Sequence, residues 1–180
     1  MRVVSIVGMA GSGKSEVAKI FERSGYVKVR FGDITDREIR KRGLELKEEN
    51  ERYIRQQLRV EYGMAAYAKL SLPEVDRLLK SADVIVDGLY SWEEYILLKS
   101  CYGENFTVVA VWASSKTRYK RLTTRLVRPL TIDEAISRDV AEIENINKGG
   151  PIAMADFIII NESSLEALEK ETKRILADLK

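Results

Sequence analysis

The chain has no histidine and one cysteine, Cys101, in 180 residues. These absences exclude an intramolecular disulfide, a zinc site built of Cys and His, and a Ser-His-Asp or Cys-His catalytic set. Any proton transfer must fall to a carboxylate, a lysine, a tyrosine or solvent. Proline is scarce, at three residues, and no Pro/Ser-rich linker, low-complexity tract or internal repeat marks a domain boundary. A single domain with a sizeable core is expected over 1–180. No apolar run reaches membrane-spanning length, and the N-terminal run is too short for the core of a signal peptide. A cytoplasmic protein without a membrane segment is therefore the expectation. Neither charge dominates: 30 basic and 28 acidic residues give +2, so any basic signal must be local.

What is present is concentrated at the start. Val3, Val4, Ile6 and Val7 form the short apolar run of a strand buried on both faces. Gly8, Met9, Ala10, Gly11, Ser12, Gly13, Lys14 and Ser15 follow, matching the phosphate-loop pattern G-x-x-x-x-G-K-S/T at every fixed position. Glycines let backbone amides approach an anion closely, and those amides form a concave nest. The helix opening near Lys14 and Glu16 adds its positive end, and Val17, Ala18, Ile20 and Phe21 give it an apolar face. Lys14 can reach the β- and γ-phosphates of a nucleotide, and the Ser15 hydroxyl can ligate Mg²⁺.

Five S/T-x-x-E signatures parse the rest as helix starts: Thr35/Glu38, Ser71/Glu74, Ser91/Glu94, Thr131/Glu134 and Ser163/Glu166. Between them lie strands at Tyr26–Phe31, Asp83–Asp87, Phe106–Trp112 and Asp156–Ile160. Helices are predicted at about 14–24, 35–42, 46–70 with a break near Gly63, 73–81, 91–100, 115–127, 131–147 and 164–178. Strands alternating with helices make an α/β domain with a parallel sheet and helices on both faces. Ligands in such sheets lie at the carboxyl ends of the strands.

Those ends hold the candidate residues. Asp33, after the second strand, either accepts a proton or holds metal-bound water, or is a turn aspartate. Asp87-Gly88 ends four residues that begin with Val84-Ile85-Val86, the usual form of the second Mg²⁺-associated carboxylate. After the fourth strand, Lys116, Arg118, Lys120, Arg121, Arg125 and Arg128 are cationic, with no acid between Glu104 and Asp133. The spacing puts Arg118, Arg121, Arg125 and Arg128 on one helix face, a stripe that wants an anion. It suits a lid over a transferring phosphoryl group, or nucleic acid, or is a solvated face. A second row, Arg52, Arg55 and Arg59, either holds an acceptor's phosphate or pairs with nearby glutamates. Tyr53, Tyr62, Met64 and Tyr67 line an acceptor pocket or belong to the core. Asn161-Glu162-Ser163 follows the last strand and either contacts a purine base or is a plain turn.

Together, Gly8–Ser15, Asp33, Asp87-Gly88, the arginine-rich helix and Ala155-Asp156-Phe157-Ile158-Ile159-Ile160-Asn161 resemble the nucleoside-monophosphate-kinase group. The last stretch is similar to dephospho-coenzyme A kinases. Asp87-Gly88 with Ser91, Glu93 and Glu94 looks like archaeal adenylate-kinase-related phosphate-loop proteins of unsettled function. The resemblance spans nearly the whole chain and implies a five-stranded parallel sheet in order 2-3-1-4-5. It also implies an acceptor-binding helical insert at about 34–80 and a short lid at about 118–138. Lys14, Ser15 and Asp33 would serve phosphoryl transfer, Arg118, Arg121 and Arg125 would clamp phosphates, and Asn161 would lie near the adenine. One departure stands out. The arginine these kinases carry shortly after Asp-Gly is absent, its place taken by Leu89, Tyr90 and Ser91.

The leading expectation is a kinase that moves the γ-phosphoryl of Mg-ATP to a nucleotide-like small-molecule acceptor, a nucleoside monophosphate or dephospho-coenzyme A. The absence of an Asn-Lys-x-Asp guanine-reading motif tilts towards ATP. The missing arginine keeps a second reading open, a nucleotide-binding switch with slow ATPase activity acting through a protein partner. A nucleotide-dependent RNA-associated factor using the basic stripe is a third.

Overall fold

The computed structural model describes residues 1–127 and 129–179. Five strands, β1 (Val3–Val7), β2 (Val27–Arg30), β3 (Val84–Asp87), β4 (Phe106–Trp112) and β5 (Phe157–Ile160), form one sheet in the order β2-β3-β1-β4-β5. All four pairings are parallel. The architecture is the three-layer α/β fold of phosphate-loop enzymes, with the expected strand order. The helices are α1 (Lys14–Arg23), α2 (Gly32–Lys41), α3 (Glu48–Tyr62), α4 (Ala66–Leu78), α5 (Trp92–Tyr102), α6 (Ser115–Thr124), α7 (Ile132–Glu144), α8 (Gly149–Ala153) and α9 (Leu165–Asp178). Among the described residues, no helix is long and apolar enough to cross a membrane.

The central strand explains the layering. Every residue of β1 is buried, so both faces of the sheet must be covered. Val4 and Ile6 pack with Val17, Phe21, Val109, Ile159, Leu168 and Ile175 beneath α1 and α9. Val3 and Val7 pack with Phe31, Tyr67, Val86, Leu98 and Val108 on the face covered by α4 and α5. Each fully buried aliphatic side chain is worth roughly 1.5–3 kcal/mol, which is why the most apolar strand sits in the middle. The β5 edge is less covered: Ile159 is buried, whereas Ile158 and Ile160 face outward and are exposed.

Two of the five helix-start signatures form complete capping boxes. The Ser91 hydroxyl accepts from the Glu94 amide at 3.1 Å, and the Glu94 carboxylate accepts from the Ser91 amide at 3.1 Å. Thr131 and Glu134 reciprocate in the same way at 3.2 and 2.7 Å. Of the other three signatures, two lie inside helices and one misses its cap by a residue. The chain is already helical at Gly32, so Thr35 lies inside α2 and shares a hydrogen bond with the Tyr67 hydroxyl at 2.6 Å. Ser71 and Pro73 lie inside α4 rather than before it. The break falls instead at Gly63, where φ is 82° and the Lys69 ammonium caps the Tyr62 carbonyl at 2.8 Å. At α9 the cap is Ser164, one residue later than the pattern suggested. The short α8, unforeseen between Lys148 and Met154, carries Gly150 against the Trp92 ring, where a Cβ would stand 2.6 Å from a ring atom.

Ser91 does two jobs, since its hydroxyl also donates to the Met64 carbonyl at 2.9 Å and so ties α5 to the start of α4. Replacing it with alanine removes both bonds. Ser91→Ala should cost about 1–2 kcal/mol, a fall in Tm of several degrees by calorimetry. An unchanged Tm would show that neither bond matters to stability.

Candidate active site at the carboxyl ends of the strands

The strand register lines the candidate residues up along one edge. Ile6, one residue before the end of β1, lies opposite Asp87, and Asp87 in turn lies opposite Arg30 at the end of β2. The Phe31 amide donates to the Asp87 carbonyl at 3.0 Å, which carries the chain straight into Gly32-Asp33. The phosphate loop, Asp87-Gly88 and Asp33 therefore emerge side by side. Asp33 is exposed at the first turn of α2, and Arg30 holds its carboxylate at 2.8 Å while also reaching Asp36 at 3.1 Å.

The loop itself is pinned from the far side of the sheet. Asn161, following β5, donates its side-chain amide to the Ser12 carbonyl at 2.8 Å and its backbone amide to the Trp112 carbonyl at 2.7 Å. At Gly13, φ is 107° and a Cβ would stand 2.2 Å from that Asn161 nitrogen, so glycine is required on two counts. Asn161 is thus buried and engaged in holding the loop. A cleft of about 350 Å³ opens beside it, lined by Gly13, Glu16, Arg121, Asn161, Ser163 and Leu165. A larger cavity, about 620 Å³, lies around Arg2, Tyr26 and Asp83, at the amino ends of the strands and away from the loop.

The basic stripe is not the single open face its spacing suggested. Arg118 is buried. Its guanidinium makes a two-pronged pair with Asp139 at 2.9 and 2.6 Å and donates to the carbonyls of Ala10 and Ala113, each at 3.1 Å. The acid that neutralises it lies on α7, 21 residues downstream. Arg121 is partly buried, donates to the Asn161 carbonyl at 3.0 Å, and leaves its other terminal nitrogen, Nη1, buried without a hydrogen-bond partner among the described residues. The helix stops at Thr124, because the Thr123 and Thr124 hydroxyls bond back to the Lys120 carbonyl at 3.0 and 2.9 Å. Arg125 follows in extended backbone and Arg128 lies outside the described residues.

Lys14 is folded onto its own loop. Its ammonium donates to the Gly8 and Met9 carbonyls at 2.8 and 2.9 Å. Burial, and then the nearby Lys148 ammonium, lower its pKa to about 7. Lys148 was not singled out by sequence reasoning, because Asn147-Lys148-Gly149-Gly150 reads as a turn. Asn147 does turn the chain, with φ at 52°. The consequence is a lysine only 1% exposed, paired with Glu142 at 2.8 Å and lying 5.3 Å from the centre of the Tyr90 ring. Burial works against ionisation of Glu142, but Lys148 and Arg138 outweigh it and hold the carboxyl at about 2.

On the other flank, Arg59 lies 5.6 Å from the centre of the Tyr67 ring, with its Nε buried and without a hydrogen-bond partner among the described residues. Tyr67 stacks on Phe31 and meets Tyr90 edge-on. Burial raises the Glu94 pKa to about 7 against the pull of the Tyr90 and Ser91 amides, and its Oε1 is buried without a hydrogen bond. Arg55 pairs with Glu51 at 3.3 Å on the same helix.

A family model described as an AAA domain matches residues 4–145. A UPF0200 protein of Thermococcus kodakarensis is 39% identical over 98% of this chain and 97% of its own. The chain belongs to the UPF0200 family. Solved structures similar to this UPF0200 chain include a shikimate kinase from Bacteroides thetaiotaomicron, with a TM-score of 0.62 at 12% identity over 98% of each chain. They also include a dephospho-CoA kinase from Campylobacter jejuni, with a TM-score of 0.59 at 15% identity over 99% of this chain and 97% of that one. The likeness shows that the UPF0200 fold is that of phosphate-loop kinases.

Removing Asp139 would strand a buried guanidinium. Asp139→Ala should destabilise the protein by about 3–5 kcal/mol, whereas Arg118→Met/Asp139→Leu together should lose less, because no uncompensated charge remains. Denaturant unfolding of the two variants checks the order. The reverse order would mean that the pair itself, rather than the penalty of stranding a charge, supplies the stability.

Proposed function

We propose that the protein is a kinase that moves the γ-phosphoryl of Mg-ATP to a nucleotide-like small molecule. The observation carrying this reading is the row at the strand ends: phosphate loop, Asp87 and Asp33 at the carboxyl ends of neighbouring strands, with Arg59 on the flank. The loop amides and Lys14 cradle the β- and γ-phosphates, and the cleft beside Gly13, Glu16, Arg121 and Asn161 takes the nucleoside. Arg121, with one guanidinium nitrogen lacking a hydrogen-bond partner among the described residues, and Arg125 close over the transferring group. Arg118 serves the nucleotide indirectly, by fixing Ala10 of the loop.

Mg²⁺ supplies charge neutralisation between the phosphates when bound. The exposed Ser15 hydroxyl and the partly buried Asp87 carboxylate are hard oxygen donors, a set that fits Mg²⁺. Among the described residues no three His, Cys, Asp or Glu side chains gather as a metal cage. That donor set suits an ion arriving with the nucleotide.

On the acceptor side, Asp33 orients the attacking hydroxyl or takes its proton. Arg59 replaces the arginine missing after Gly88 as the grip on the acceptor's phosphate, with Arg55 beside it. Gly88 keeps the chain low between the two sites. The insert at about 34–80 and the lid at about 118–138 close over the bound pair and exclude water.

The test is ADP release from Mg-ATP with AMP, CMP, UMP, the deoxynucleoside monophosphates and dephospho-coenzyme A, each against an acceptor-free blank. One strongly stimulating acceptor is expected. Lys14→Ala should abolish that turnover with the fold intact, and Arg59→Ala should raise KM for the acceptor at least tenfold with a smaller effect on that for ATP. A rate that never exceeds the blank would overturn the kinase reading in favour of a nucleotide switch.

Proton linkage gives an independent check of the loop. Lys14, lowered to about 7, is mostly neutral in the free protein at pH 8, and a bound polyphosphate favours its charged form. Binding of ADP should therefore take up close to one proton at pH 8, and this uptake should vanish or reverse at pH 6, where Lys14 is already charged and the terminal phosphate, with a pKa of about 6, gives up a proton of its own. Calorimetry in buffers of different ionisation enthalpy measures this uptake. Buffer-independent heats at pH 8 would show that Lys14 is already charged or does not meet the phosphates.

A further inference from the structure

The helix α7 is inside out. Ile132, Ile136, Val140 and Ile143 follow one another at intervals of four, four and three residues, which makes a single apolar stripe. In a surface helix that stripe should face the core. Here the four residues are 57, 44, 45 and 53% exposed. The buried positions are Ala135, Asp139 and Glu142, and the two acids are the ones that hold Arg118 and Lys148. Leu126 and Val127, in the connection that leads into the helix, are 99 and 73% exposed.

We infer that the outer face of α7 is the interface with a second copy of this chain. Four observations select that occupant. First, the helix cannot cover the stripe itself by rolling over, because turning it inward would break the Asp139 and Glu142 ion pairs. Second, with exposures of 44 to 99%, the stripe with Leu126 and Val127 offers surface on the order of 600 Å² per copy, comparable with what one side of a standard interface buries. A standard stable interface takes roughly 800 Å² from each partner, so the stripe and a modest rim suffice. Third, the stripe is self-complementary. Two copies of α7 packed antiparallel about a two-fold axis place Ile132 of one against Ile143 of the other, and Ile136 against Val140, with the helix dipoles opposed. Fourth, the exposed acids Asp133, Glu134 and Glu144 flank the stripe; they disfavour the dense charge of an anionic lipid surface or a nucleic acid, whereas in the antiparallel pair they meet the partner's acids only at the solvated rim, where salt screens them.

The pairing does not depend on which molecule accepts a phosphoryl group. It does put the interface one helix thickness from the phosphate loop, since the opposite face of the same helix holds Arg118 and, through it, Ala10.

Sedimentation equilibrium of the full chain between 1 and 200 μM tests the inference. Wild type is expected at twice the chain mass in the upper part of that range. Ile136→Glu/Val140→Glu should sediment as a monomer throughout, with an unchanged circular-dichroism spectrum. A variant that unfolds does not end the test. Equimolar Ile136→Cys and Val140→Cys chains, each in a Cys101→Ser background, should form a disulfide-linked pair under mild oxidation, at least tenfold faster than when Cys is placed at the exposed Lys170 of α9. A wild type that stays monomeric at 200 μM while binding an apolar dye would overturn the inference, and point to a different protein as the partner. A dimer untouched by the Glu substitutions and not cross-linked at these positions would overturn it as well, by placing the contact elsewhere.

Discussion

The interaction on which the rest depends is the buried guanidinium of Arg118. It joins three parts of the chain that are far apart in sequence: Ala10 in the phosphate loop, Ala113 at the end of β4 and Asp139 on α7. A buried charge of this kind is costly unless it is paired and hydrogen-bonded, and here each of the three guanidinium nitrogens has a partner in the two-pronged carboxylate or the two carbonyls. The loop receives a second anchor from the opposite strand through Asn161 and Ser12. An anion nest works only if its amides are already aimed, and these two anchors fix the aim before any anion arrives.

The same economy explains the orientation of α7. Its inner face is selected by ion pairing rather than by apolar burial. Asp139 neutralises Arg118, and Glu142 neutralises Lys148, which in turn lies beside Tyr90 and influences Lys14. A chain of charges therefore runs from α7 to the phosphate loop and on to Tyr90, just before α5. Its members are buried or partly buried, so salt screens them less than it would a surface pair.

How much of this was legible in the sequence follows from how local each signal is. The phosphate loop, the five strands and the strand order could be read, because each rests on residues that are neighbours in the chain or on a resemblance spanning it. Asp33 and Asp87 could be located because a parallel sheet brings all carboxyl ends to one edge. Thr35 and Ser71 misled because a cap pattern inside a helix looks the same as one at its start, and only packing decides. Arg118 looked unpaired because its partner comes from the next helix. Lys148 and Glu142 carried no signal, since a lysine beside two glycines reads as a turn. The apolar stripe of α7 faces outward because tertiary ion pairs, not periodicity, set its inner face.

The resting position of Lys14 has one more consequence. Its ammonium is already satisfied by two carbonyls of its own loop and holds its proton weakly. An incoming anion must therefore both restore the proton and replace two existing bonds before it gains from this lysine. A single weakly charged group offers little against that threshold, whereas a polyphosphate chain supplies several oxygens and several charges at once. In the proposed kinase the loop would thereby discriminate by charge number as well as by shape, with inorganic phosphate or a lone carboxylate competing poorly for it.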